Sequence, residues 1–202
     1  MPSYKLIYFE TRGQAEPARL LFAAGGLQYD DVRLTREQWK ELKPKTAMGN
    51  LPILEVDGTT ICQSKAIARL IAKEVGMAGK TPLEQARADM IADTVDELSA
   101  PCLAFYILPD KNKAEILKKE FVEKTLPPTV ALFEKFASAE GYFVGNSLTW
   151  ADVTFFAFMD WVITAFPGDH LKGCENLKKV MDNVSSNQGI VKYLKERPET
   201  PY

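Results

Sequence analysis

Tyr8 closes the apolar and aromatic run YKLIYF over residues 4–9, which Thr11-Arg12-Gly13 then ends. A phenol at the carboxyl end of a strand, ahead of a turn and a helix, stands where α/β sheets present groups to ligands; a strand aromatic is the simpler reading. Gln63-Ser64 opens a helical run. Ser64 suits a helix cap, and the same unpaired amides and positive dipole end suit an anion. Trp39 and Lys43 stand four residues apart on a short predicted helix, as a packed face with a solvated edge would. Asp93, Asp96 and Glu97 put three carboxylates on one helix face, ordinarily a solvated one. His170, the single histidine, follows Pro167-Gly168-Asp169 in a predicted surface turn, so chemistry built on a histidine base is not expected. Cys62, Cys102 and Cys174 are odd in number and never form a C-x-x-C pair, which reads as reduced, packed thiols rather than a disulfide framework or zinc knuckle.

The elements that must position these residues follow from periodicity. After the strand at 4–9, Ala18, Leu20, Leu21 and Ala24 recur at helical spacing from Glu16, with Pro17 tolerated in the first turn and Gly25-Gly26 as a stop. Residues 29–34 read as a second strand, completing β-α-β. Ile53–Val56 and Thr59–Cys62 flank Asp57-Gly58, a dipeptide suited to a type I′ hairpin. Ile67, Leu70, Ile71 and Val75 then mark one helix face, with Ser64 placed to cap it. Beyond the breaker-rich loop at 76–82 strand signals fade. Met90, Ile91, Val95 and Leu98 mark a long helix; Ile116, Leu117 and Phe121 a second; Leu132, Phe133 and Phe136 its continuation past Pro127-Pro128, which must kink or restart it. Leu148-Thr149-Trp150-Ala151-Asp152-Val153 reads as a helix start with Thr149 as N-cap, Asp152 at N3 and a Leu148–Val153 staple.

Composition sets the outer bounds. With 25 basic and 27 acidic residues in 202, the chain has no excess positive charge to neutralise a run of phosphates, so no nucleic acid partner is expected. Residues 1–76 carry 11 basic and 9 acidic side chains against 14 and 18 in the remainder, a bias that suits a small anionic ligand in the first part. The longest apolar stretch, Val153 to Phe166, is broken by Asp160 and falls short of the ~20 residues of a bilayer span, so no membrane association is expected. The first residues lack the basic and apolar regions of a secretory signal, which makes a cytoplasmic location the expectation.

Tyr8 ending the first strand, Leu51-Pro52 before the third, Gln63-Ser64 at a helix start, Gly145-Asn-Ser-Leu-Thr-Trp-Ala-Asp152 and the closing Arg197-Pro-Glu-Thr occur in order across the chain. In that order and spacing the chain resembles the cytosolic glutathione S-transferases of the sigma class, which includes haematopoietic prostaglandin D synthases and cephalopod lens crystallins. The resemblance implies an α/β N-terminal thioredoxin-like domain (β-α-β then β-β-α) and an all-α C-terminal domain. Residues 1–76 form the glutathione-binding domain in this reading, 77–81 the linker, and 82–202 the all-helical domain contributing the electrophile pocket. It further implies a homodimer, glutathione as co-substrate and no metal requirement.

By the same resemblance Tyr8 donates a hydrogen bond to the glutathione sulfur and favours its thiolate. The Leu51–Pro52 bond is cis, so that the Leu51 backbone pairs with the cysteinyl part, with Gly49 and Asn50 at the glycyl end. Gln63 and Ser64 hold the γ-glutamyl carboxylate; Trp39 and Lys43 clamp the glycine end. Asp96 or Glu97 reaches across the dimer interface to the amino group of the glutathione bound by the other subunit. Some prostaglandin D synthases bind a divalent cation with such a cluster, and Glu97 stands where those relatives have Asp. Phe9, Arg12, Gly13, Phe105 and Tyr106 are implied as lining of a hydrophobic substrate pocket. A thiol of pKa ~8.5 is about 3% ionised at pH 7, and lowering it by ~2 units, worth ~2.7 kcal/mol, ionises about three quarters. One well-placed donor to a developing anion supplies about that much.

The chain departs from the family pattern at further positions. Gln14 replaces an Arg that many sigma members have, and Ala104, Thr154 and Phe158 occupy positions that are Trp, Tyr and Cys in vertebrate prostaglandin D synthases. A pocket lined that way is wider and less polar. Conjugation of glutathione to varied apolar electrophiles is therefore the leading expectation. A glutathione-dependent prostaglandin isomerase or lipid peroxidase is the second, and a non-catalytic crystallin-like or ligand-carrying protein the third.

Overall fold

The structure, a computed structural model, describes residues 2–200; Met1, Pro201 and Tyr202, the outer ends of the two expected domains, lie outside the described residues. The chain divides into two compact units, Met1–Ala78 with Ser186–Tyr202, and Gly79–Ser185.

In the first unit, β1 (Tyr4–Phe9), β2 (Asp30–Leu34), β3 (Ile53–Val56) and β4 (Thr59–Cys62) form one sheet in the order β2-β1-β3-β4. β1 and β2 run parallel, joined through α1 (Glu16–Gly25), while β3 is antiparallel to both β1 and β4. The β3–β4 turn uses Asp57 and Gly58 at positive φ, as the dipeptide demands. α1 carries Pro17 in its first turn and ends at Gly26 in the left-handed region. Its buried residues include Ala18, Leu20, Leu21 and Phe22, and Phe22 stacks on Tyr29 at 4.2 Å. α2 (Arg36–Leu42) follows β2, and α3 (Ser64–Glu74) follows β4, burying Ile67, Ala68, Ile71 and Ala72.

By its contacts the segment after Ser185 groups with the first unit, whereas the sequence reading kept 82–202 together. α10 (Gln188–Glu196) packs on α1 instead. Gly189 lies so close to the Ala23 carbonyl that a Cβ has no room there. Tyr193 donates to Glu16 Oε2 and Arg197 to Glu16 Oε1, both at 2.8 Å. Helical periodicity identifies α10 but says nothing about which core receives it.

The second unit is helical. α4 (Pro82–Ser99) starts on a Thr81 cap and buries Ile91, Val95 and Leu98. Met90 is 43% exposed, so it lies off the stripe that the sequence pattern assigned to it. α5 (Ala104–Ile107) and α6 (Lys111–Glu120) lead into a π turn, Phe121–Thr125, before α7 (Leu126–Phe136). That wide turn is how Pro127-Pro128 are accommodated: α7 begins afresh with both prolines in its first turn, where a missing N–H costs no helical bond. α8 (Trp150–Ala165) packs against α4 and against α9 (Glu175–Ser185). Ten of its residues are buried, so its apolar run serves as core; no helix among the described residues is long and apolar enough to cross a membrane.

Thr149 is the N-cap of α8, and the Asp152 carboxylate ties the turn together. Its Oδ2 accepts from the Thr149 N–H at 2.7 Å and hydroxyl at 2.8 Å, and its Oδ1 accepts from the Phe143 N–H at 2.8 Å. Asp152 is wholly buried, so each donor would otherwise face a dry interior. Asp152→Ala strands them, and the expected loss is about 3 kcal/mol of unfolding free energy, read from urea denaturation.

Candidate active site

The sheet register gathers the candidate residues at one end. Ile7 pairs with Ile53, and Ile53 with Cys62. One step further along each strand therefore come Tyr8 on β1, Pro52 ahead of β3 and Gln63 behind β4. With strands ~4.8 Å apart, Tyr8 and Gln63 stand about 10 Å from each other across Pro52. On the other side Tyr8 and Phe9 pair with Arg33 and Leu34, immediately before the helix that carries Trp39.

Tyr8 is half-buried, and its environment favours the protonated phenol. Burial pushes its pKa above the ordinary value of 10, against the pull of the Gln14 N–H and the Arg19 charge. The Gln14 backbone N–H donates to Tyr8 Oη at 3.2 Å. An N–H into the hydroxyl oxygen leaves the phenol proton pointing elsewhere and strengthens it as a donor. The resemblance would have an Arg side chain at position 14; here the main chain makes the contact.

Gly13, expected as pocket lining, has a second role. It sits at φ +43°, and a Cβ on it would stand 2.7 Å from Tyr8 Oη. Glycine is thus required both for the turn and for the space the hydroxyl occupies. Phe9 packs against α2, with the Trp39 ring 6.3 Å away edge-on and the Arg36 guanidinium 5.7 Å from its centroid. Arg12 is buried, and its Nη2 donates to the Thr200 carbonyl at 3.2 Å.

α2 is fixed by a reciprocal cap that the sequence reading did not register. Gln38 N–H donates to Thr35 Oγ1 at 3.2 Å, and Thr35 N–H to Gln38 Oε1 at 2.8 Å. The T-x-x-Q spacing signals that box directly. Lys43 caps the other end of α2 and begins a short 3₁₀ turn. Thr46 then folds the loop back: its hydroxyl donates to the Lys43 carbonyl at 2.8 Å and accepts from the Gly49 N–H at 3.1 Å. A Cβ on Gly49 would lie 3.7 Å from Lys43 Cε, so the lysine stem runs beside that glycine. Asn50 is exposed, and the Leu51–Pro52 peptide is cis.

Ser64 departs from its expected part. It is the first residue of α3 rather than its cap; the cap position is Gln63, at φ +78°, with no side-chain capping bond. A helix start left without a side-chain cap, with a serine hydroxyl in its first turn, suits a carboxylate. A hydroxyl donor on one strand and a helix start without a side-chain cap two strands away suit a small extended ligand carrying a soft anion at one point and a carboxylate at another.

The remaining candidates belong to the second unit. On α4, Asp96 is half-buried and Glu97 exposed. Among the described residues no group of three or more His, Cys, Asp or Glu side chains could hold a metal ion, the Asp93, Asp96 and Glu97 set included. Phe105 is buried beside Phe121 and Phe166, and Tyr106 Oη accepts from Trp161 Nε1 at 3.1 Å. His170 Nε2 lies 2.6 Å from the Phe166 carbonyl. Burial pushes the Cys102 thiol up to about 12 and raises that of Cys174. At neutral pH those two sulfurs are not nucleophiles.

Comparison with known proteins identifies the company this geometry keeps. Residues 4–73 match the family model of the glutathione S-transferase N-terminal domain, and residues 96–197 that of the glutathione S-transferase C-terminal domain. The chain is 41% identical to Glutathione S-transferase 1 of Ascaris suum, over 100% of both chains. It is 37% identical to the hematopoietic prostaglandin D synthase of Gallus gallus, over 99% of each. The solved structure of rat hPGDS complexed with a quinoline superposes with a TM-score of 0.93 at 31% identity, over 99% of this chain and 100% of that one.

Two measurements test the geometry. In Gly13→Ala the added methyl is expected to drive the Tyr8 hydroxyl out of hydrogen-bonding range of Gln14 N. The phenol pKa then rises, read as the difference titration against Tyr8→Phe. Stability should also fall in alkali. Tyr8, Tyr29 and Tyr193 all have pKa values raised chiefly by burial, so the native state holds phenol protons that the unfolded chain releases above pH ~10. Their contribution is present below pH ~10 and lost as the pH rises beyond it. Urea midpoints measured across that range check the sign.

Proposed function

The chain belongs to the glutathione S-transferase family, and from that premise we propose that Tyr8 is the group that activates the glutathione thiol. The protein is a glutathione transferase with glutathione as co-substrate. The observation that carries the proposal is the Tyr8 hydroxyl, kept protonated by burial and receiving the Gln14 N–H at 3.2 Å, at the sheet end beside the cis Leu51–Pro52 bond.

In this reading glutathione lies extended along that end. Its γ-glutamyl carboxylate meets Gln63 and Ser64 at the uncapped start of α3, the Leu51 backbone pairs with its cysteinyl part, and Trp39, Lys43, Gly49 and Asn50 hold its glycyl end. On binding, the thiol releases its proton to solvent and Tyr8 donates to the sulfur. The thiolate attacks an apolar electrophile; a carbon–sulfur bond forms and the leaving group departs with its electron pair. Neither a metal nor a protein thiol takes part. Phe9 and Gly13, beside Tyr8, supply electrophile contacts on the first unit. We also place the chain in the sigma class, as a cytoplasmic homodimer in which Asp96 or Glu97 serves the glutathione of the other subunit.

The likeness to prostaglandin D synthases favours a second reading, an isomerase working through the same thiolate. Thr154 and Phe158 bear on it. The Thr154 hydroxyl is buried without a hydrogen-bond partner, and Phe158 packs into the aromatic cluster of Phe121 and Trp161. The aromatic surroundings of Phe158 favour varied apolar electrophiles, while the Thr154 hydroxyl is a polar group that an oxygenated lipid would suit.

The test compares wild type with Tyr8→Phe in conjugation of glutathione to a chloronitrobenzene, with glutathione binding measured in parallel. The variant is expected to bind glutathione and lose at least about tenfold in kcat. Unchanged kcat would remove Tyr8 from the mechanism. A prostaglandin H-type substrate turned over faster than the chloronitrobenzene would favour the isomerase.

A further inference from the structure

Arg19 is an arginine with no exposed surface, on the buried side of α1. Its Nη1 donates to the Thr11 carbonyl at 2.6 Å and lies 3.5 Å from that of Arg12; its Nη2 donates to the Phe9 carbonyl at 3.4 Å. These three carbonyls belong to the chain leaving β1, the segment that turns Gln14 N–H toward Tyr8. The guanidinium carbon lies 5.9 Å from the centroid of the Tyr8 ring, within the range of a cation–π contact.

We infer that Arg19 is the positioning residue of Tyr8, supplying beneath the ring the positive charge that position 14 does not. The inference rests on the reading of Tyr8 as thiol activator and names what tunes it. The groups around the guanidinium come from three elements. Glu16 on α1 lies 3.6 Å away and is shared with Arg197 and Tyr193 of α10. Asp31 on β2 accepts from Arg19 Nε at 3.2 Å and is shared with Arg33 at 2.8 Å. Tyr29 also lies within electrostatic reach. Each carboxylate is thus divided among several partners, and neither neutralises Arg19 by itself. The field left over favours negative charge on the phenol oxygen and so makes its proton a better donor to sulfur.

A purely structural arginine would hold the turn and leave the bound thiol's titration alone; a charge beneath the ring moves it. The experiment follows the ultraviolet absorbance of the thiolate of bound glutathione against pH in wild type, Tyr8→Phe, Arg19→Met, Arg19→Lys and Asp31→Asn. Arg19→Met is expected to raise the midpoint by about one pH unit, and Arg19→Lys to restore most of it. Asp31→Asn removes a countercharge and is expected to lower the midpoint by a few tenths of a unit, roughly, an opposite shift that loosened packing does not produce. If Arg19→Met fails to fold, the sign of the Asp31→Asn shift decides. Equal midpoints in wild type, Arg19→Met and Asp31→Asn, with Tyr8→Phe displaced, overturn the role of Arg19 and leave Tyr8 standing. Equal rises in Arg19→Met and Arg19→Lys show geometry without charge and overturn it as well. An undisplaced Tyr8→Phe overturns the reading of Tyr8 itself.

Discussion

A full positive charge with no exposed surface is tolerable only if every donor around it finds an acceptor, and the first unit is arranged to meet that demand at Arg19. Its guanidinium takes carbonyls from the end of β1, a carboxylate from β2 and another from its own helix. Glu16 then passes the constraint on to α10 through Tyr193 and Arg197. A desolvated ion pair contributes little net stability compared with a well-packed apolar core. Its effect here is on shape: the strand end, the turn and two helices share one arrangement, and Tyr8 lies within it.

The other half of the sheet end is organised around a helix start without a side-chain cap. Gln63 takes a positive φ that a non-glycine residue adopts at some cost, and α3 starts without a side-chain cap. Local structure alone would favour a capped start. The loop from Lys43 to Gly49 is by contrast internally satisfied through Thr46, so it presents the lysine stem as a settled edge.

Much of this was legible in the sequence, and the failures have physical causes. β1, β3, β4 and the start of α1 fall where periodicity and turn residues put them, because Asp57-Gly58, Pro17 and Gly25-Gly26 act locally. Pro52 and Gln63 are neighbours because the β3–β4 hairpin fixes their register locally, whereas Tyr8 joins them through the β1–β3 pairing, which is distant in sequence. Ser64 illustrates the limit: serine is a good cap and a good first-turn residue, and only the backbone of Gln63 distinguishes the two. Arg19 was missed because a charged residue inside an apolar stripe reads as noise until its partners are known, and these come from the end of β1, from β2 and from its own helix. The docking of α10 is a long-range matter as well, decided by a missing side chain at Gly189 and a buried acid at Glu16.

Because Ser186–Tyr202 completes the unit that Met1–Ala78 begins, the first unit is discontinuous in sequence, with Gly79–Ser185 inserted between its two parts. During synthesis the ordinary order, amino-terminal domain first, cannot run to completion. Until the residues of α10 and Arg197 have been made, Glu16 has neither Tyr193 nor Arg197, and the α1 face around Ala23 is uncovered. The inserted helical unit has all of its own sequence by then. The surroundings of Tyr8 are accordingly among the later parts of the nascent chain to close, since the α1 face is covered only after the residues of α10 have been made.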